Sequence, residues 1–242
     1  MEKSYQEIKK VLSLMNLEDK YGVYRGATHP MKDEKTPVMS EGAELIIREA
    51  LSDDPTPLFV VFQGAITDLA APYIREPQIP EKMTAVWIGG GEWPVGGFEF
   101  NLWQDIDAAN VVFKSDIPLW QVPKNVYKMI WVTLAELQYR VKPYGEIGNY
   151  LFQQMVEYND AYANQPGWPS GESWGLGDSP TVSLLLEDRE HDWDWKPAPI
   201  FSKEMFYIHG QKNRPIRVYK NVDARLTLED FYCKLALNYP SK

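Results

Sequence analysis

Cysteine is almost absent from this chain. Its 242 residues hold one, Cys233, which excludes an internal disulfide framework and a cysteine-ligated metal cluster. A lone thiol in a mixed segment reads as a small packing residue. Histidine is scarce as well: His29, His191 and His209 are scattered and share no metal-binding spacing. His191 lies in the acidic run EDREHDWDW and reads as part of a solvated loop. Positive charge is in deficit. Lys and Arg number 25 against 34 Asp and Glu, a net charge of -9, which argues against a nucleic-acid or anionic-membrane surface. It leaves room for a neutral nucleoside or sugar. No apolar run reaches the roughly 20 residues of a membrane span, and the start, MEKSYQEIKK, has no signal-like apolar region. A cytoplasmic location with no membrane partner is therefore expected. A P-loop, GxSxG, HExxH and a helix-opening GxGxxG are all missing. So are internal repeats, low-complexity tracts and linkers, and one domain spanning residues 1–242 is the economical reading.

What is present is organised around Thr84 to Tyr127. An apolar run, Thr84 to Ile88, opens into glycines. Glu99, Asn101 and Asp105 follow, then a helical segment from Asp105 to Lys114. A second apolar run, Ile117 to Val122, closes on Lys124 and Asn125. This reads as strand, polar loop, helix and strand, and ligands bind where such loops meet strand C-terminal ends. Upstream, the spacing predicts a helix over Ser4 to Asn16 and a short strand over Tyr21 to Arg25. It also predicts a helix over Gly42 to Leu51 with Ser40 as N-cap. Leu58 to Phe62 reads as a strand buried on both faces, and Asp68 reads as a cap of the helix after it. Downstream, Leu134 to Arg140 and Ile147 to Tyr162 are helical. Gln165 to Gly177 is a Gly-, Pro- and Trp-rich loop, and Asp178 reads as the cap of an apolar helix, Thr181 to Leu186. Met205 to Val222 reads as strands about a turn, and Leu228 to Leu237 as a last helix.

The chemistry is oxygen chemistry. Glu99, Asn101, Asn125 and Asp178 fall at predicted strand and helix ends. Carboxylates and carboxamides suit either sugar hydroxyls or a hard cation. Nine tryptophans and 14 tyrosines supply flat surfaces for a planar ligand as well as core.

These residues carry a resemblance to the inosine/uridine-preferring nucleoside hydrolases. Gly26-Ala27 followed by Pro30 resembles an early GA-x-x-P element, and Gly64 to Ala70 is similar to a GPLTNLA segment. Gly89-Gly90, Glu99-Phe100-Asn101, Asp105 and Ala108-Ala109 resemble the signature GG…EFN…D-x-x-AA. Ile117 to Tyr127 is similar to the strand leading into an LDVT turn, and Gly177-Asp178-Ser179-Pro180 resembles a later HDP motif. The resemblance implies an open, mainly parallel α/β sheet flanked by helices, assembled as a homodimer or homotetramer. It implies Ca²⁺-assisted hydrolysis of the N-glycosidic bond of ribonucleosides to ribose and free base. Glu99 and Asn101 would bind ribose, with Trp93 close by. Asp178 and the backbone carbonyl of Tyr127 would ligate Ca²⁺, and Trp93, Trp168 and Trp174 could stack on the base.

Two departures stand out. The family opens with an aspartate-rich loop, DTDxGxDD, that supplies the main Ca²⁺ ligands and the general base, and no such motif occurs in this sequence. The chain starts on a helix, so a fold lacking its first strands is expected, with the base upstream of Met1 and apolar sheet edges exposed. Gly177 stands where the family often has a histidine that protonates the leaving base. The alternative expectation is a non-catalytic or divergent member that binds a ribose-like or other sugar.

Overall fold

The computed structural model describes residues 1–162, 172–187 and 191–239. The helices α1 (Glu2–Leu14) and α2 (Glu41–Ala50) lead into β1 (Leu58–Phe62), α3 (Thr67–Arg75) and β2 (Met83–Ile88). Next come α4 (Phe100–Gln104), α5 (Ile106–Lys114), β3 (Leu119–Val122), α6 (Lys124–Tyr127), β4 (Trp131–Thr133), α7 (Leu134–Arg140) and α8 (Gly145–Tyr162). The chain closes with β5 (Ser173–Gly175), α9 (Pro180–Leu186), β6 (Trp193–Pro197), β7 (Ile200–Phe201), β8 (Tyr207–Ile208), β9 (Pro215–Tyr219) and α10 (Ala224–Asn238).

The expected Ser40 cap forms, and two further caps accompany it. The Ser40 hydroxyl accepts the Ala43 amide at 2.9 Å and opens α2. The Asp105 carboxylate accepts the Ala108 amide at 2.9 Å and opens α5. Thr133 and Glu136 form a reciprocal capping box on α7.

The central sheet has the order β1-β2-β3-β9-β6. β1, β2, β3 and β9 run parallel, and β6 pairs antiparallel with β9. Successive side chains alternate between faces, and each face builds its own core. On one, Phe62, Ala85, Trp87, Leu119 and Val218 pack with Leu69 of α3 and Ala109 and Val112 of α5. On the other, Val86, Ile88, Val122 and Tyr219 pack with Val126 of α6 and Leu184 of α9. A third cluster joins α7, α8 and α10 through Leu137, Phe152 and Leu235.

Several sequence expectations change. Tyr21 to Arg25 forms no strand and pairs with none among the described residues. Its end is tied to helices instead: the Gly42 amide donates to the Arg25 carbonyl at 2.9 Å. β1 is not buried on both faces. It is an edge strand, and Phe59 and Val61 each remain 41% exposed. The strands within Met205 to Val222 do not pair with each other, since β8 pairs with β7, and β9 with β3 and β6. Cys233 lies exposed on α10 rather than packed. His191 is buried, 4% exposed, and its Nδ1 accepts the Asp223 amide at 3.1 Å. Among the described residues, no helix is long and apolar enough to cross a membrane.

Candidate active site

Parallel strands send their C-terminal ends to one edge of the sheet, and there the loops after β1, β2 and β3 meet the start of α9. Gln63, just past β1, donates from Nε2 to the Asp178 carbonyl at 3.1 Å and to the Thr181 hydroxyl at 2.8 Å. That bond sets Asp178 against the sheet edge. Past β2, Gly90 adopts φ +87°, and an added Cβ would collide with Gln121 and Tyr207. A left-handed residue with no side chain is needed for the turn.

That turn brings a backbone amide onto Glu99, which is only 2% exposed. Its Oε2 accepts the amides of Gly90 at 3.0 Å and Leu102 at 2.9 Å. Its Oε1 accepts the Asn101 amide at 3.1 Å and the Tyr127 hydroxyl at 3.1 Å. Glu99 is thus the N-cap of α4 and the anchor of the glycine turn. Asn101 is buried, and its Nδ2 donates to the Ile88 carbonyl at 2.8 Å. Below them Asp105, 3% exposed, accepts the Met31 amide at 2.9 Å and the Thr67 hydroxyl at 2.6 Å in addition to its own cap bond.

Asp68 does not cap its own helix. Its carboxylate accepts the Ala27 amide at 3.0 Å and the Ser40 hydroxyl at 2.5 Å, fastening the Gly26-Ala27 turn to α3. Nor does Asp178 cap α9, whose N-cap is Ser179 without a side-chain bond. The Asp178 carbonyl accepts the Thr181 amide and hydroxyl, and its carboxylate stands exposed at the cleft. Protein atoms crowd behind that carboxylate, and the Glu99 charge lies close by, so its pKa is raised above the ordinary aspartate value. The Tyr127 phenol is pushed up for the same two reasons, burial first and Glu99 second, and stays protonated.

Tyr127, Glu99 and Asp178 therefore lie close together at this sheet edge, with Asn101 tied to the end of β2. Gly177 belongs to that group as well: a Cβ there would lie 2.9 Å from Cδ2 of Tyr127. Trp93 stands at one side. Its amide donates to Asn125 Oδ1 at 3.1 Å, and its ring packs on Tyr207 at 5.0 Å and His209 at 5.2 Å. These contacts hold its ring against Tyr207 and His209. Trp168 lies outside the described residues. A cavity of about 240 Å³ opens beside Tyr127 and Gly177, lined by Lys128, Trp131, Ser173, Trp174 and Gly175. Trp131 and Tyr127 as a side chain were not anticipated. The β4–β5 pairing places Trp131 and the bond to Glu99 places the Tyr127 phenol, and only the tertiary structure reveals either.

The donor set does not fit a hard divalent cation. Ca²⁺ takes six to eight oxygens. Among the described residues no three His, Cys, Asp or Glu side chains gather as a metal site would require. A carboxylate has about four acceptor positions, and four donors already occupy Glu99. Asn125 Oδ1 accepts from Trp93, and the Tyr127 carbonyl accepts the Ile130 amide at 3.4 Å. Asp178 adds one open carboxylate, and together these oxygens stay short of six.

Comparison with known proteins agrees with the topology. A solved purine-preferring ribonucleoside hydrolase from Gardnerella vaginalis superposes with a TM-score of 0.79, 19% identity, 98% of this chain and 86% of that one. A plant nucleoside hydrolase, PpNRh1, gives a TM-score of 0.75, 16% identity, and 96% and 85% coverage. At such identities the likeness concerns the fold, an α/β architecture with a mainly parallel central sheet flanked by helices. The pyrimidine-specific ribonucleoside hydrolase RihA of Salmonella arizonae is 25% identical over 151 residues, covering 59% of this chain and 46% of that protein. The chain thus spans about half the length of the curated relatives it matches. The sequence profile described as "Inosine-uridine preferring nucleoside hydrolase" matches residues 1–229, and the chain belongs to that family.

Proposed function

We propose that the cleft at Glu99, Tyr127 and Asp178 binds a ribonucleoside and hydrolyses its N-glycosidic bond to ribose and free base. Family membership supports the reaction class. The observation that carries the site is the exposed Asp178 carboxylate, left without a capping role, facing the Tyr127–Glu99 pair at the C-terminal edge of three parallel strands. Glycoside cleavage passes through an oxocarbenium-like sugar. A carboxylate facing the ring stabilises the positive charge that develops there. Asp178 takes that part, Asn101 and Tyr127 orient the sugar, and Glu99 holds both in place. The cavity between Trp131, Trp174 and Tyr127 suits a planar leaving base, which stacks on aromatic faces. Water adds at the anomeric carbon as the C–N bond breaks, and its proton passes through solvent to the departing base nitrogen, since Gly177 offers no acid. The described residues make no site for Ca²⁺.

The test is release of reducing sugar from purine and pyrimidine nucleosides by the purified chain. Asp178→Ala is expected to remove activity while circular dichroism stays unchanged. Saturable nucleoside binding without any turnover in the wild type would favour the second reading, a binding member of the family. A homodimer or homotetramer in the cytoplasm is part of the proposal. Its support is the exposed aromatic patch of Phe98, Phe100 and Trp103, whose rings lie 5.9 to 6.3 Å apart, a composition common at interfaces. Light scattering on a Trp103→Glu variant tests it: an unchanged mass would exclude that patch.

A further inference from the structure

We infer that this chain by itself binds no divalent cation in the Asp178 cleft, and that the Tyr127 phenol, with three backbone amides, leaves the neighbouring Glu99 carboxylate no open position for one. The inference concerns the cleft of the proposed hydrolase and needs no turnover to be tested.

Three observations carry it. First, Glu99 is saturated. Three backbone amides and one phenol fill its four acceptor positions while 98% of its surface is withdrawn from water. A metal would have to displace one of these donors. Only Tyr127 is a candidate, because the amides of Gly90, Asn101 and Leu102 are fixed by the glycine turn and by the first turn of α4. Second, Tyr127 is wedged. Its ring packs against Gly177, where an added Cβ would come within 2.9 Å. That space holds an aromatic ring here, which a side chain at 177 would crowd. Third, the carbonyl of Tyr127 points into its own helical turn, accepting from Ile130. Among the described residues of this cleft Asp178 is the one carboxylate left open, and a single carboxylate with isolated carbonyl oxygens falls short of the six to eight oxygens that Ca²⁺ takes.

The geometry gives the phenol a positive role. Its O–H supplies partial positive charge to a buried carboxylate, which would otherwise lack its fourth partner. Charge-assisted hydrogen bonds of this kind are about twice as strong as neutral ones. Tyr127 therefore acts as a positioning residue: it locks Glu99, and Glu99 locks the Gly90 turn and α4.

The experiment is calorimetric and thermal titration of the full 242-residue chain with CaCl₂ alone, without nucleoside, up to roughly 1 mM, well above the ~10⁻⁷–10⁻⁵ M range of sensor sites. The expected result is no saturable heat and no rise in Tm. A saturable response that Asp178→Asn removes overturns the inference. The second measurement is hydrogen exchange on Tyr127→Phe, which keeps the ring against Gly177 and removes only the hydroxyl. Exchange at the Gly90, Asn101 and Leu102 amides is expected to speed up about tenfold or more, with the far helices α7 and α8 unchanged. Unaltered exchange at those three amides overturns the role given to the phenol. Because no nucleoside is present, failure of hydrolysis leaves this result standing, and the reverse also holds.

Discussion

Gly177 and Tyr127 show how one residue sets another. A glycine at 177 looks like a loss when read from sequence, since it removes an acid. In the folded chain it is the space that the Tyr127 ring needs. Gly177→His is therefore expected to destabilise by overpacking, about 1–3 kcal/mol, measured by urea denaturation. Pairing it with Tyr127→Ala should recover part of that loss, because residues in contact are not additive. Strict additivity of the two variants would show that they do not touch. Glu99 makes a second residue-scale prediction. Glu99→Ala leaves three buried amides without an acceptor. Each unpaired buried group costs about 1–3 kcal/mol, so the variant is expected to lose more stability than any surface substitution, and a Tm within a degree of wild type would contradict this. The motif residues Glu99, Asn101 and Asp178 were all legible as polar residues at element ends. Whether each one capped, anchored or stood open was not, because capping is a matter of side-chain reach and not of spacing. Asp68 and Asp178 were both expected to cap, and neither does.

At the scale of elements, Asp105 joins three pieces of chain. It caps α5, holds the Thr67 hydroxyl at the start of α3, and accepts the Met31 amide from the loop before α2. A buried carboxylate with three donors is stabilising as a set. Asp105→Ala is expected to cost about 2–4 kcal/mol, the sum of a lost cap and stranded donors, seen as a lower denaturation midpoint. Asp105→Asn keeps part of the acceptor and should lose less. Arg214 has a similar joining role. Buried and held by the Ile117 carbonyl at 2.5 Å and the Phe113 carbonyl at 3.0 Å, it links the end of α5 to β3, and burial pushes its pKa down to about 10. Periodicity located most helices and central strands within a residue or two, since apolar alternation and capping chemistry are local signals. It missed the short helices α4 and α6, the β4–β5 pair, the two-residue β7, and the edge strand β6, which begins in the stretch read as a solvated loop. Those have too few residues to show a period, and their stability comes from the site they pack into.

At the scale of the whole chain, β1 pairs on one side only among the described residues. Phe59 rests its ring edge-on against Trp120 at 5.5 Å, and Val61 lies beside it on the exposed face. An unpaired parallel strand with apolar side chains on its surface templates self-association. The chain is expected to self-associate with rising concentration, and Val61→Lys to lower the associated fraction without changing circular dichroism. Size-exclusion chromatography across a concentration series checks this, and equal profiles for the two proteins would count against the edge as the cause.

The sequence by itself determined the fold class, the family and the placing of polar residues at strand ends. These follow from local apolar periods and from short motifs that need no distant partner. Only the tertiary structure decided what each polar residue does. Sheet order brings Gln63, Glu99, Tyr127 and Asp178 to one edge, although up to 115 positions separate those that touch. It also determined that the four acceptor positions of Glu99 are filled and that Asp178 is left open, because hydrogen-bond saturation depends on which donors the packed chain delivers within about 3 Å.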